Sequence, residues 1–235
     1  MNNKIKFTNK LSIQIDEKYY PKPAIKEIPK WYKDAPGNRE DLVEVENYAH
    51  PITGTIKQCI PVMDSITSGY IIFSPVDLII TQIKGEPYYE WYGPNNNFIE
   101  WHPKEQGAGH PEANTNFIPK WINPWSIKTP KGYSCLFIHP SHRDDLPFKS
   151  MTAIVDTDKH ISPVNFVFTL KDPKFEGLIP AGTPIIQVYP FKRDSWKMEI
   201  GNLEDKEESA RFEWRVAKHS SLRYKHNSWT RKDYA

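Results

Sequence analysis

The sequence predicts a mainly β protein. A barrel or sandwich core is expected over about residues 51–200, an extended arm over 1–50, and one helix with a basic tail over 201–235. Three observations carry this. Short apolar runs recur at regular spacing between residues 125 and 194, with turn residues between them. Prolines number 21 in 235 residues, against about 5% in ordinary chains; proline removes a backbone donor and breaks helix interiors, which excludes a helical bundle. Aromatic residues reach 13% while hydrophobic residues as a whole reach 38%, so much of the core's volume is expected in rings.

The elements follow in order. In the arm, Tyr19-Tyr20-Pro21-Lys22-Pro23 and Ile28-Pro29-Lys30-Trp31-Tyr32 alternate proline with aromatics. X-Pro steps favour extended backbone, so Tyr19, Tyr20, Trp31 and Tyr32 are expected to pack on a domain or a neighbouring subunit. Asp34–Asn38 reads as a turn, with a short helix or coil through Glu40–Tyr48. Thr55–Val62, Gly69–Phe73 and Asp77–Lys84 read as strands. Trp91, Trp101, Trp121 and Trp125 flank a polar loop, GAGHPEANTN, of a length that is often functional. Strands are then expected at Trp125–Thr129, Tyr133–His139, Thr152–Asp156, Val164–Leu170, Phe175–Ile179 and Thr183–Tyr189. Pro130-Lys131-Gly132, Asp172-Pro173 and Pro180-Ala181-Gly182 supply turns. Leu203–Arg223 lacks Gly and Pro and places acids early and bases late, in accord with the helix dipole.

Composition narrows the function classes. Lys and Arg total 31 and Asp and Glu 29, a net charge of +2, so any nucleic-acid contact needs a local patch such as Lys225–Lys232. No run of about 18 apolar residues is present to span a membrane. The first residues, MNNKIKFTNK, hold no apolar signal-peptide core, so the expected place is a host cytoplasm or a virion. Cys59 and Cys135 sit in separate apolar stretches and read as free thiols of a reducing compartment.

Between residues 125 and 193 the order of pieces resembles the dUTPase and dCTP-deaminase superfamily. Trp125–Leu136 resembles its strand, P-x-G turn and strand; Ile154–Asp158 its G-x-I-D-x-D-Y stretch; Phe175–Val188 its I-x-x-G-x-x-I-A-Q-L end; and Ser68-Gly69-Tyr70 its A-G-Y-D motif. The resemblance implies a β-clip barrel, a trimer with shared sites, magnesium as the cofactor of a nucleotide hydrolase, and Asp156 as the carboxylate that activates water. Arg143, Lys192 and Arg193 are the candidate phosphate contacts, because guanidinium pairs phosphate bidentately. The sequence departs from the family where R-S-G-x-A would lie, reading PSHRDDLPFK over 140–149, and has Ile71 in place of the motif's Asp. It also lacks the family's Tyr near Lys159 and His160 and its glycine-rich closing arm. The whole chain is similar to proteins of large tailed phages, through Ile28–Trp31 (IPKW) and Pro180–Arg193 (PAGTPIIQVYPFKR).

A third pattern is His142-x-Asp144, which matches the first two ligands of the facial triad of iron/2-oxoglutarate oxygenases, with His219 and Arg223 as distal partners; His139 and His160 are nearby metal candidates. No zinc spacing, nucleophile elbow, P-loop or dinucleotide fingerprint occurs. The expected function is therefore a non-enzymatic structural or assembly protein of a phage particle, without a cofactor, making homo-oligomeric or virion contacts through its arm. A dUTPase-like hydrolase or nucleotide binder is the alternative, and an iron oxygenase the third.

Overall fold

In a computed structural model the described residues are 3–9, 14–43, 52–92, 97–107, 109–111, 115–160, 162–201, 209–210, 224–225 and 228–235. The strands in chain order are β1 (Lys6–Asn9), β2 (Lys22–Pro23), β3 (Asn38–Val43), β4 (Ile52–Gly54), β5 (Tyr70–Phe73), β6 (Leu78–Ile83), β7 (Glu86–Trp91) and β8 (Ile99–Pro103). They continue as β9 (Phe117–Trp121), β10 (Trp125–Lys128), β11 (Tyr133–Ile138), β12 (Phe148–Ser150), β13 (Ala153–Val155), β14 (Phe166–Leu170), β15 (Gly177–Ile179) and β16 (Pro184–Lys192). Two short helices are α1 (Lys30–Asp34) and α2 (Ile60–Thr67). The protein is mainly β.

The chain forms two compact units. The first holds Met1–Glu27, Ser68–Arg193 and Tyr234–Ala235; the second holds Ile28–Thr67 and Asp194–Asp233. This division cuts across the expected boundaries near 50 and 200. Part of the expected arm is built into the first unit: β1 pairs with β10 and β2 with β5. Tyr20 stands edge-on to Trp125 at 4.9 Å.

All strand pairing in the first unit is antiparallel, as short connections allow. A five-stranded sheet runs β13-β11-β16-β5-β2, a four-stranded sheet β12-β14-β9-β8, and a three-stranded sheet β15-β6-β7. Pairing among the described residues closes no barrel, and the expected mainly β core, a barrel or sandwich, consists of open sheets. Between the sheets lies one large core. Phe137, Phe148, Phe168 and Ile186 are fully buried there. Trp121 stacks on Phe168 at 4.6 Å, and Phe148 meets both rings edge-on at 5.5 and 5.7 Å. The expected aromatic core is realised, because offset and edge contacts suit ring quadrupoles. The β6–β7 hairpin turns at Lys84-Gly85, both at positive φ, as a tight antiparallel turn requires.

In the second unit β3 pairs with β4, so residues 40–43 are strand where a helix or coil was expected, and the rest of that segment, 44–48, lies outside the described residues. Thr55–Val62, read as a strand, instead forms a 3₁₀ turn at Ile56–Gln58 and the start of α2. Two local features explain this. Thr55 caps the turn by accepting from the Lys57 N–H, and Pro61 sits in the first turn of α2, where its missing N–H costs nothing. On α2, Asp64 accepts from Trp229 Nε1 at 2.9 Å and pairs with Lys232 at 2.5 Å. The basic tail is therefore partly used within the chain. The expected helix over Leu203–Arg223 lies largely outside the described residues, with Ser209-Ala210 helical. Cys59 and Cys135 are free. Among the described residues no helix is long and apolar enough to cross a membrane.

Candidate functional site

The sequence-predicted residues fall on two ends of β11. At its start, Tyr133 faces Lys192 of β16, and Cys135 faces Val155 of β13, so Asp156 and Arg193 emerge side by side. Arg193 Nη1 donates to Asp158 Oδ1 at 2.8 Å and Nη2 to Asp158 Oδ2 at 2.5 Å, a bidentate pair. The same Nη1 reaches Tyr133 O and Ser134 Oγ, each at 2.9 Å, and lies 3.3 Å from Asp156 Oδ1. Ser134 Oγ donates to Asp156 Oδ1 at 2.7 Å, and the Gly132 N–H donates to Asp158 Oδ2 at 2.8 Å. Lys159 Nζ stands 3.9 Å from Asp156 Oδ2. Below this layer the hydroxyls of Thr129 and Thr157 meet at 2.8 Å, and Thr157 donates to Cys135 Sγ. The Arg193 guanidinium, then the Gly132 N–H, hold the Asp158 carboxyl far below the usual carboxylate range. Burial pushes the Cys135 thiol up to about 11, which leaves it an inert core thiol.

Two cations and two carboxylates thus close on each other and clasp the turn 130–132, the turn 156–158 and the end of β16. Asp156 keeps a half-exposed carboxylate, its side chain 47% accessible, whereas that of Asp158 is 4% accessible. Lys192 is exposed.

At the other end of β11 the loop 139–147 carries His142, Arg143 and Asp144. A strand rises about 3.3 Å per residue, so the length of β11 puts Arg143 roughly 15–20 Å from Asp156. One chain does not bring these two together. Arg143 forms its own bidentate pair with Asp145, at 2.8 Å in both arms. His142 holds φ 56° and is exposed, and the Asp144 side chain is fully exposed with Lys171 3.7 Å away. Among the described residues no group of three or more His, Cys, Asp and Glu is placed to share a metal ion. His219 and Arg223 lie outside the described residues.

His139 fixes this loop. Its Nδ1 accepts from the Ser150 N–H at 3.2 Å, which assigns the proton to Nε2, 3.2 Å from the Arg143 carbonyl. Burial holds the imidazole below its ordinary range, so it stays neutral. Below about pH 6.5 the unfolded imidazole binds a proton that the folded one refuses, so this group makes stability fall with pH. His139→Phe is expected to lower stability by about 1–3 kcal/mol, mainly through the unpaired Ser150 N–H, since the Arg143 C=O keeps the Leu146 N–H, and to remove that dependence. Urea titrations at neutral and mildly acidic pH check both. Gln187, 1% exposed, ties the same loop to the start of β5: its Oε1 accepts from the Ser141 N–H and its Nε2 donates to Ser68 O.

The outer face of the four-stranded sheet forms a cleft of about 820 Å³. His102 and Ile118 face each other across β8 and β9, Val167 and Met151 continue the floor, and Gln106 and His110 wall it from the 104–111 loop. Its volume suits a small molecule, with an apolar floor and imidazole and carboxamide hydrogen-bonding groups above. Sequence reasoning singled out the loop but not this floor, whose residues come from three separate strands.

The arm aromatics divide between the units. Tyr19 lies against Gly182 in the first unit, where an added Cβ would stand 2.9 Å from its ring. In the second unit Trp31 is edge-on to Tyr32 at 5.4 Å, and the Tyr32 hydroxyl donates to Lys57 O. Among the described residues the most exposed large hydrophobic side chains lie elsewhere: Trp196 at 91%, Met198 at 82% and Ile200 at 85%. Compared with known proteins, the chain matches no family model and no curated protein.

Proposed function

We propose that this chain is a non-enzymatic assembly protein that works by holding protein subunits, copies of itself included. The supporting observation is the strip Trp196, Met198 and Ile200, three large apolar side chains left in water on consecutive alternate positions. Such a strip is costly to expose and marks an interaction surface. The groups expected to handle a substrate support the same reading, since Arg193 and Arg143 are each engaged bidentately by a carboxylate of this chain. A place in a phage particle rests on the sequence resemblance of the arm and of Pro180–Arg193.

Light scattering on the full chain tests the reading. The wild type is expected to run as an oligomer, and Trp196→Ser/Met198→Ser/Ile200→Ser as a single chain. A wild-type monomer at every soluble concentration overturns it.

A nucleotide hydrolase is the second reading, favoured by the half-exposed Asp156 carboxylate that Ser134 aligns beside Arg193. It needs Arg143 from a neighbouring chain, given the length of β11. Thermal stabilisation of the wild type by a deoxynucleotide with magnesium, lost in Asp156→Asn, would replace the assembly reading.

A further inference from the structure

We infer that residues 195–201 pair with the same residues of a second copy, as antiparallel strands about a two-fold axis through Met198. The inference deepens the assembly reading and rests on it. The segment Ser195-Trp196-Lys197-Met198-Glu199-Ile200-Gly201 belongs to no helix or strand of its own unit, and every residue in it is exposed. In extended backbone successive side chains point to opposite faces, so Trp196, Met198 and Ile200 share one face and Lys197 and Glu199 the other.

The order of residue types is self-complementary in one direction only. Antiparallel pairing centred on Met198 sets Trp196 opposite Ile200 of the other copy and Met198 opposite Met198. On the second face it sets Lys197 opposite Glu199, twice. Parallel pairing in register would set Lys197 against Lys197 and Glu199 against Glu199, which repel. An isologous contact of this kind closes as a dimer. In the ladder Trp196, Met198 and Ile200 of both copies stand beside one another on one face, so each covers the flank of its cross-strand neighbour. The new ladder takes up the N–H and C=O groups of alternate residues in each segment, those that point at the partner strand.

Charge exchange tests the register separately from the assembly reading. Lys197→Glu and Glu199→Lys each place like charges opposite one another at two positions. Each variant alone is expected to dimerise roughly ten- to hundredfold more weakly by sedimentation. Mixing the two variants sets Glu against Lys at both positions, so a heterodimer is expected to recover the wild-type mass. Lys197→Glu/Glu199→Lys in one chain is expected to dimerise as the wild type does. Circular dichroism melts matching the wild type confirm that the exposed substitutions leave the fold intact.

Failure of the mixture to recover dimer, while the triple serine variant is a single chain, overturns the antiparallel register and leaves the assembly reading standing. A wild type that is monomeric throughout overturns both. A dimer that survives the triple serine variant places the contact elsewhere and overturns both the register and the strip.

Discussion

Gly69→Ala is expected to destabilise the first unit by about 4 kcal/mol or more, at the extreme of what one substitution does. Gly69 holds φ +78°, a conformation that costs an L side chain roughly 1–2 kcal/mol by itself. The larger effect is collision. An added Cβ would stand 2.2 Å from the Val188 carbonyl oxygen and 3.1 Å from its carbon, and both atoms are backbone. No rotamer change relieves this contact. The chain at Ser68-Gly69 must move away from β16, where Val188 faces Tyr70 and Gln187 faces Ile71. That movement also pulls on Gln187, whose amide bridges Ser68 and Ser141. Gly85→Ala is the internal comparison: φ is +81°, but nothing lies within 4 Å of the added atom, so about 1 kcal/mol is expected. Urea midpoints of the two variants, at unchanged slope, separate conformation from contact. Equal losses would show that the approach of Val188 relaxes freely.

This glycine marks how far the sequence reading reached. Ser68-Gly69-Tyr70 was legible as a motif, yet its reason, a carbonyl pressed against the α-carbon from 119 residues away, needs the sheet order. Most strands over 125–192 were legible because each run is bounded by its own turn residues, whereas β12 at Phe148–Ser150, a three-residue strand, was not expected. Thr55–Val62 was not legible, since an apolar run of that length fits a buried helix as well as a strand, and a capping threonine with an early proline decided it. Barrel and sandwich stayed open alternatives for a similar reason: alternation and turns specify strands and leave closure to pairing that no local signal encodes. At the site, Asp156, Asp158 and Arg193 were all visible as residues. Their joining is a matter of register, because β16 and β13 flank β11 and leave it at the same end. The exposed strip at 196–200 carried a readable period of two, but its meaning depends on its being left uncovered.

Arg193→Ala is expected to cost far more stability at neutral pH than Arg143→Ala, although both arginines hold bidentate carboxylates. The difference lies in the partners. Asp145 is 56% exposed, and water replaces its arginine, so an exposed pair of this kind contributes about 0–1 kcal/mol. Asp158 is 4% exposed and would be left with the Gly132 N–H alone, while Tyr133 O and Ser134 Oγ lose a donor. Losing a bidentate, charge-assisted pair together with the Tyr133 O and Ser134 Oγ contacts removes more than the exposed Arg143–Asp145 pair supplies. The pH dependence gives this its signature. Asp158 has its folded pKa held far below the unfolded value of about 3.9, so its contribution is complete above that value and fades as pH falls from about 5 toward the folded one. The wild type therefore weakens through this acid window, and Arg193→Ala, already without the pair, weakens less. The gap between them is expected to stay flat from pH 7 to about 5 and to narrow below that, and Asp158→Asn is expected to remove the same acid limb. A gap that stays constant with pH would mean that the clasp holds the end of β16 by packing and neutral hydrogen bonds, with its charges contributing nothing.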